Sequence, residues 1–221
     1  MTYSELRKHL ESQLYNILCV RMNTEKYIAE AVRRTYNCIS KSTRKYLVKY
    51  SEDEIPFSVF NTTQYAVFLY HMSRVAYETD KNGENAEKFF CLNKILNSVD
   101  IFYAVELPSV WCGEHLLGSV LGRAKYSDYF FFYQGCTVGG SFKDGAINYP
   151  EIGEHVIMFS NSKILGRSKI GNNVIISANT YIINEDIPDN CIVFGQSPDI
   201  VIKKRSKEEM VKAQSVIWPI E

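Results

Sequence analysis

"IGEHVIMFSNSKILGRSKIGNNVIISANTYII", Ile152 to Ile183, carries an aliphatic residue at every sixth position: Ile152, Met158, Ile164, Ile170, Ile176 and Ile182. Four residues after each of the first five stand Val156, Ser162, Ser168, Val174 and Thr180, all small or β-branched. An amphipathic helix repeats near 3.6 residues and a half-buried strand every two, whereas a sustained repeat of six is that of a parallel β-helix built from hexapeptides. Three hexapeptides make one triangular coil. Each coil then rests its residues on those of the next at the roughly 4.8 Å spacing of paired strands, so the core is a stack of like on like.

The same count runs upstream through Val120, Tyr126, Phe132 and Val138, with Ala124, Phe130 and Cys136 in the second position. From Val138 to Ile152 the chain takes 14 residues, two more than two hexapeptides. The excess falls in "GGSFKDGAINYP", Gly139 to Pro150, where three glycines and a proline predict a loop leaving the prism. Long loops on a rigid repeat scaffold often carry function.

Before residue 100 the pattern is helical. In "SELRKHLESQLYNIL", Leu6, Leu10, Leu14, Ile17 and Leu18 recur three or four apart, with Ser4 as N-cap. "NTEKYIAEAVRRTYNCI" repeats the logic with Ile28, Val32 and Ile39. After an irregular acidic stretch around "SEDEIP", "NTTQYAVFLYHMSRVAYE" gives a third helix. "NAEKFFCLNKILNSV" gives a fourth, after the turn residues "KNG". His9 and His71 lie on these helices as packing residues. At the other end "SKEE" reads as a capping box, Ser206 with Glu209, and the apolar tail "SVIWPIE" is expected to dock. The fold class is therefore α+β: helices over 1–100, a β-helix over 101–205, and a short helix with its tail over 206–221.

Composition narrows the partners. With 221 residues, 46% of them hydrophobic, the chain can bury a sizeable core. Lys+Arg and Asp+Glu both number 25, so no net field draws it to nucleic acid or an anionic membrane. Neither a leader nor an apolar run of about 18 residues is visible, and a cytoplasmic protein is expected. The six cysteines include no C-x-x-C pair, which argues against both a zinc site and a disulfide framework.

"EHLLGSVLG" with Glu114 and His115, "CTVGG" from Cys136 to Gly140, "SNSKILG", "IGNNVIISANTYI" and the exit "VFGQSPDIV" together resemble the motifs of serine acetyltransferase. The likeness covers residues 101–203 and implies a left-handed β-helix and an acetyl-CoA-dependent O-acetyltransferase. It implies His115 as general base, in direct attack of the acceptor on acetyl-CoA with no acyl-enzyme and no metal. An imidazole, with an ordinary pKa near 6.5, suits that duty at neutral pH. Glu106 is expected to orient His115 and Glu114 to contact the acceptor.

The resemblance also implies that coenzyme A lies between adjacent prisms of a trimer, which can pair into a dimer of trimers. Gly139 and Gly140 would let it approach, Ser160, Asn161, Ser177 and Ala178 would line its path, and Lys203 and Lys204 would neutralise its phosphates. Where the family has Arg-His before the loop proline, this chain has Asn148 and Tyr149. A neutral amide cannot pair with a carboxylate as a guanidinium does. Either Arg123, Lys125 or Lys143 holds the carboxylate of serine, or the acceptor is a sugar hydroxyl of a surface polysaccharide or its nucleotide-sugar precursor. A noncatalytic trimeric scaffold and a three-histidine metal enzyme are the rival classes. The chain ends in Glu221, not in the isoleucine by which the family engages cysteine synthase, so that complex is not expected.

Overall fold

The computed structural model describes residues 1–43, 53–143 and 145–219. Among the described residues, four helices lead into a three-sided parallel β-helix, and a fifth follows it. α1 (Tyr3–Leu18) is capped by Thr2, whose hydroxyl accepts from the Glu5 amide while the Glu5 carboxylate accepts from the Thr2 amide. That reciprocal pair satisfies two orphan donors and moves the cap from Ser4, which lies inside the first turn. Leu6, Leu10 and Leu14 are buried, and the stripe fades at Ile17, which is exposed.

α2 (Glu25–Ile39) buries Ile28, Val32 and Ile39 as expected. α3 (Thr62–Asp80) is buried on almost every side because it runs between α2 and α4 (Glu84–Asn97). His9 packs edge-on against Tyr65 at 5.9 Å, and His71 is buried in α3 beside Tyr70 and Trp111. Ser51 and Glu52 of the acidic stretch, Asp144 of the loop and the terminal Glu221 lie outside the described residues.

The first face of the prism stacks β1 (Asp100–Ile101), β3 (Val120–Leu121), β6 (Thr137–Gly139), β11 (Lys163–Leu165) and β14 (Tyr181–Ile183). The second stacks β2 (Trp111–Gly113), β5 (Phe130–Phe132), β10 (Val156–Met158), β13 (Val174–Ile176), β16 (Cys191–Phe194) and β17 (Val201–Lys204). The third stacks β4 (Lys125–Tyr126), β9 (Glu151–Ile152), β12 (Lys169–Ile170) and β15 (Asp186–Ile187). Ile152 pairs with Ile170, Met158 with Ile176 and Ile164 with Ile182. The hexapeptide count in the sequence is thus the pairing register in space. All six of these aliphatics are at most 4% exposed, and Val156, Ser162, Ser168, Val174 and Thr180 are buried with them. A buried hydroxyl survives there by finding a turn carbonyl: Ser168 Oγ donates to Leu165 O at 2.8 Å.

Two parts of the expected register are corrected. Val120 is 40% exposed, and it is Leu121 that points inward and pairs with Val138. The step from Leu121 to Tyr126 takes five residues, so counting back by six slips one place. The loop is also longer than expected. Val138 stands on the first face and Ile152 on the third, so 14 residues replace a single step of six, an excess of eight. The excess folds as a hairpin of β7 (Ser141–Lys143) and β8 (Ala146–Asn148).

The C-terminal segment closes the second face. β17 turns back antiparallel on β16, and Ser206 caps α5 (Lys207–Gln214) through its box with Glu209. Met210, Ile217 and Trp218 then cover Cys112, Phe131, Ile157 and Ile175 on the outside of that face. Helices and coils share one continuous core that runs from Leu6 to Val193.

Two measurements check this description. In urea titrations Leu121→Ala should cost about 2–5 kcal/mol and Val120→Ala within about 0.5 kcal/mol, the reverse of what an unbroken count of six requires. Burial holds the His71 imidazole down to about 3, and neither ring nitrogen has a partner among the described residues. The unfolded imidazole takes its proton near 6.5, so between these values the unfolded state binds more protons. Stability should then fall by about 1.4 kcal/mol per pH unit as pH drops through that window. His71→Phe should flatten that part of the slope.

Candidate active site

At the vertex between the second and first faces, later coils turn in six residues, from Phe132 to Val138, Met158 to Ile164 and Ile176 to Ile182. The first crossing, from Gly113 to Leu121, takes eight. Its two extra residues stand out as a bulge, and His115 is on it, in the left-handed conformation with φ 55°. Elsewhere on this vertex that conformation falls to Gly118, Gly135, Asn161 and Asn179. Histidine shares with asparagine a tolerance for it that bulkier residues lack.

Packing pins the bulge. Leu116 is buried beneath it, and a Cβ on Gly113 would meet Leu116 Cδ2 at 2.4 Å and Phe132 O at 2.7 Å. Only glycine leaves that room. The Glu114 amide donates to Phe132 O at 3.1 Å, which ties the start of the bulge to the coil below. Neighbouring residues on a straight strand face opposite ways, but the turn at His115 lets both Glu114 and His115 line one cavity of about 270 Å³. Its other wall is Phe60 and the start of α3, Asn61 to Gln64, with Ile39 of α2 behind. Sequence reading missed that wall, which lies some fifty residues away; its only local sign is an aromatic, Phe60, just before a helix cap.

Glu106 stands elsewhere. Its carboxylate is 3.6 Å from the Arg74 guanidinium and lines a second cavity, of about 290 Å³, with Tyr70, His71 and Glu78. In the described chain it faces Arg74 and not His115.

The residues expected along the donor path divide between two vertices. Ser160 with Asn161 and Ser177 with Ala178 stack coil on coil at the His115 vertex, where the Asn179 amide donates to Ser160 O at 2.9 Å. Lys203 reaches toward the far end of this column, its Nζ 5.0 Å from the Phe194 ring centre. Lys204 pairs with Cys191 at the opposite end of its strand.

Gly139, Gly140, Asn148 and Tyr149 stand at the other edge of the first face, at the hairpin and its base, and Arg123 lies in the turn from β3 to β4 at that edge. A Cβ on Gly140 would meet Ile147 Cγ2 at 2.7 Å and Tyr149 Cε1 at 2.9 Å, so the missing side chain there makes room for Tyr149. Gly139 meets nothing closer than 3.9 Å. The Asn148 amide nitrogen turns to the carbonyls of Lys143 and Ala146, and Lys125 pairs with Glu151 at 3.3 Å. Phe142 and Ile147 project from the hairpin 76% and 58% exposed.

Among the described residues, no group of three His, Cys, Asp or Glu side chains could hold a metal ion. None of their helices is long and apolar enough to cross a membrane. The other histidine of the prism, His155, packs on Tyr129 at 4.2 Å.

No family model matches the chain. Among curated proteins it is 33% identical to the serine acetyltransferase of Synechococcus elongatus over 105 residues, 47% of this chain and 43% of that one. It is 31% identical to the serine acetyltransferase of Staphylococcus aureus over 124 residues, 53% of this chain and 58% of that one. The chain thus spans about half the length of the curated relatives it matches. Among solved structures, a serine acetyltransferase in complex with cysteine superposes with TM-score 0.63 at 18% identity, covering 90% of this chain and 72% of that one. The Brucella abortus serine acetyltransferase in complex with coenzyme A gives 0.60 at 18%, covering 92% and 75%. In sequence over about half of its length, and in fold along most of it, this chain is similar to the serine acetyltransferases, hexapeptide-repeat proteins of the left-handed β-helix fold.

Proposed function

We propose that the chain transfers an acetyl group from acetyl-CoA to an acceptor hydroxyl, with His115 as general base. The observation that carries the reading is the bulge. A rigid repeat departs from its register to present a histidine and a carboxylate to one cavity, on the coil where the resemblance to serine acetyltransferase puts its Asp-His pair. The name of the curated relatives supports acetyl transfer to serine, and a solved neighbour has coenzyme A bound.

In the reaction the acceptor hydroxyl gives its proton to the His115 imidazole as its oxygen attacks the thioester carbonyl. The tetrahedral oxyanion collapses, the C–S bond breaks, and the departing thiolate takes the proton from the imidazolium. Glu114 shares the cavity and so takes over from Glu106 the task of orienting and stabilising the imidazolium. Coenzyme A follows the column of Ser160, Asn161, Ser177 and Ala178, with Lys203 near its phosphates. An amide at Gly139, whose surroundings leave room for a ligand, donates to the oxyanion.

The working unit is a trimer. In one chain His115 and the hairpin flank the first face from opposite edges, so a neighbour's hairpin is what brings Gly139 and Tyr149 to His115. The exposed Phe142 and Ile147 suit burial in that contact. The acceptor is serine or a related small hydroxyl compound, and the neutral pair Asn148 and Tyr149 favours a sugar hydroxyl as the second reading.

Thiol release from acetyl-CoA by the purified protein, across serine and sugar acceptors, tests the reaction. His115→Ala should lower kcat about 10²- to 10⁴-fold and leave acetyl-CoA binding in place; equal turnover would remove His115 from the chemistry. Sedimentation equilibrium should find three chains per particle. Co-refolding inactive His115→Ala chains with inactive Tyr149→Ala chains should restore part of the activity, because mixed trimers contain one intact site. Monomers, or no recovery on mixing, would dissolve the shared-site arrangement.

A further inference from the structure

The second cavity, between α2, α3 and the chain that enters β2, contains a charge balance left open. Arg33 and Arg34 of α2 share the carboxylate of Glu30, and Glu78 of α3 takes Arg34 and Arg74 at 2.8 Å each. Among the described residues, two closely bound carboxylates thus answer three guanidiniums. The third carboxylate in reach, Glu106, stands 3.6 Å from Arg74 Nη2 and is itself 84% exposed. So loose and wet a pair holds little. The Arg74 side chain is only 15% exposed, and its Nη1 reaches nothing nearer than the carbonyls of Tyr103 and Ala104, both at 3.4 Å. Nε is well paired, whereas the edge with two terminal nitrogens, which can grip an oxyanion through two parallel bonds, has only long contacts.

The fold holds that edge in place. One turn earlier on α3, the Tyr70 hydroxyl bonds both Val105 O and the Leu107 amide, so Arg74 is fixed against the same connection. Across the cavity, Asn37 stands one turn after Arg33 on the same face of α2, and Ser109 lies at the end of the connection. His71 also lines the space, 7% exposed, with neither ring nitrogen partnered among the described residues. A buried polar group without a partner inside the chain is the kind that a ligand completes. We infer that this cavity binds a small oxyanion, the phosphate or carboxylate group of a metabolite, on the terminal edge of Arg74. Asn37 and Ser109 add hydrogen bonds, and Glu106 swings out to solvent as the anion enters. Glu106 is then a tethered competitor for the site. The cavity of about 290 Å³ is distinct from the recess beside His115, so this inference goes beyond the transferase reading and does not depend on it.

Calorimetric titration of the full chain at pH 7 and constant ionic strength, with inorganic phosphate and acetate as probes, tests the site without any measure of activity. One or both should bind at one site per chain, phosphate alone marking a phosphoryl ligand and acetate alone a carboxylate. Glu106→Gln should tighten that binding about two- to fivefold, the worth of one exposed ion pair withdrawn from competition. Arg74→Lys, which keeps the charge and loses the fork, should weaken it about tenfold. Lys203→Gln, at the far end of the β-helix, should leave it unchanged. Because Glu106 is exposed, its replacement spares the fold, and that variant decides the matter even where Arg74→Lys proves unstable. No binding of either probe, equal binding by Glu106→Gln and the unaltered chain, or binding lost in Lys203→Gln would each overturn the assignment.

Discussion

Each coil of this prism must set its inward side chains directly on those of the coil before, because parallel backbone ladders fix the stacking on all three faces at once. Ile164 rests between Val138 and Ile182, and Met158 between Phe132 and Ile176. A core packed in this way has no slack for an extra residue. Any surplus in the chain can go only outward, at a vertex. His115 and Leu116, inserted between Glu114 and Leu117, and the eight residues in the hairpin are such surpluses, so the features to which we assign chemistry lie where the register breaks.

This constraint explains what could be read from the sequence. Ile152 to Ile182 was legible because an aliphatic every six residues has no other structural meaning, and the small residues Ser162, Ser168 and Thr180 before successive strands fit the turns of a triangle. The reading slipped at Val120, where a five-residue step shifts the count, since a period shows spacing and cannot show which turn is one residue short. The loop was undercounted for a related reason: a surplus of eight and one of two differ by one hexapeptide, and the sequence alone does not say which face the chain rejoins. At the site, His115 and Glu114 were legible by motif. Phe60 and Asn61 were not, because their place opposite His115 depends on how α3 docks. Glu106 was drawn to His115 by analogy, whereas Arg74, a residue of α3, is what it faces.

The docking of α3 is itself well determined. The Tyr70 hydroxyl donates to Val105 O at 2.9 Å and accepts from the Leu107 amide at 3.0 Å, so one buried phenol holds two points of the first coil. Burial pushes that phenol up to about 12, and it stays protonated as both bonds require. Cys38 Sγ donates to Trp111 O, a further tie between α2 and the strand that leads into the bulge. The wall formed by Asn61 to Gln64 is held to the prism at the same junction, which gives the cavity beside His115 two walls fixed by one packed core.

The reversal of the last strand has a consequence of a different kind. A stack of parallel coils ends in unpaired N–H and C=O groups, a template on which another extended chain could grow. On the second face, the longest of the three, β17 turns back along β16 and takes up those groups from Cys191 to Phe194. The solenoid thereby writes its own full stop, and the same repetition that makes each coil welcome the next is prevented from recruiting strangers on that face.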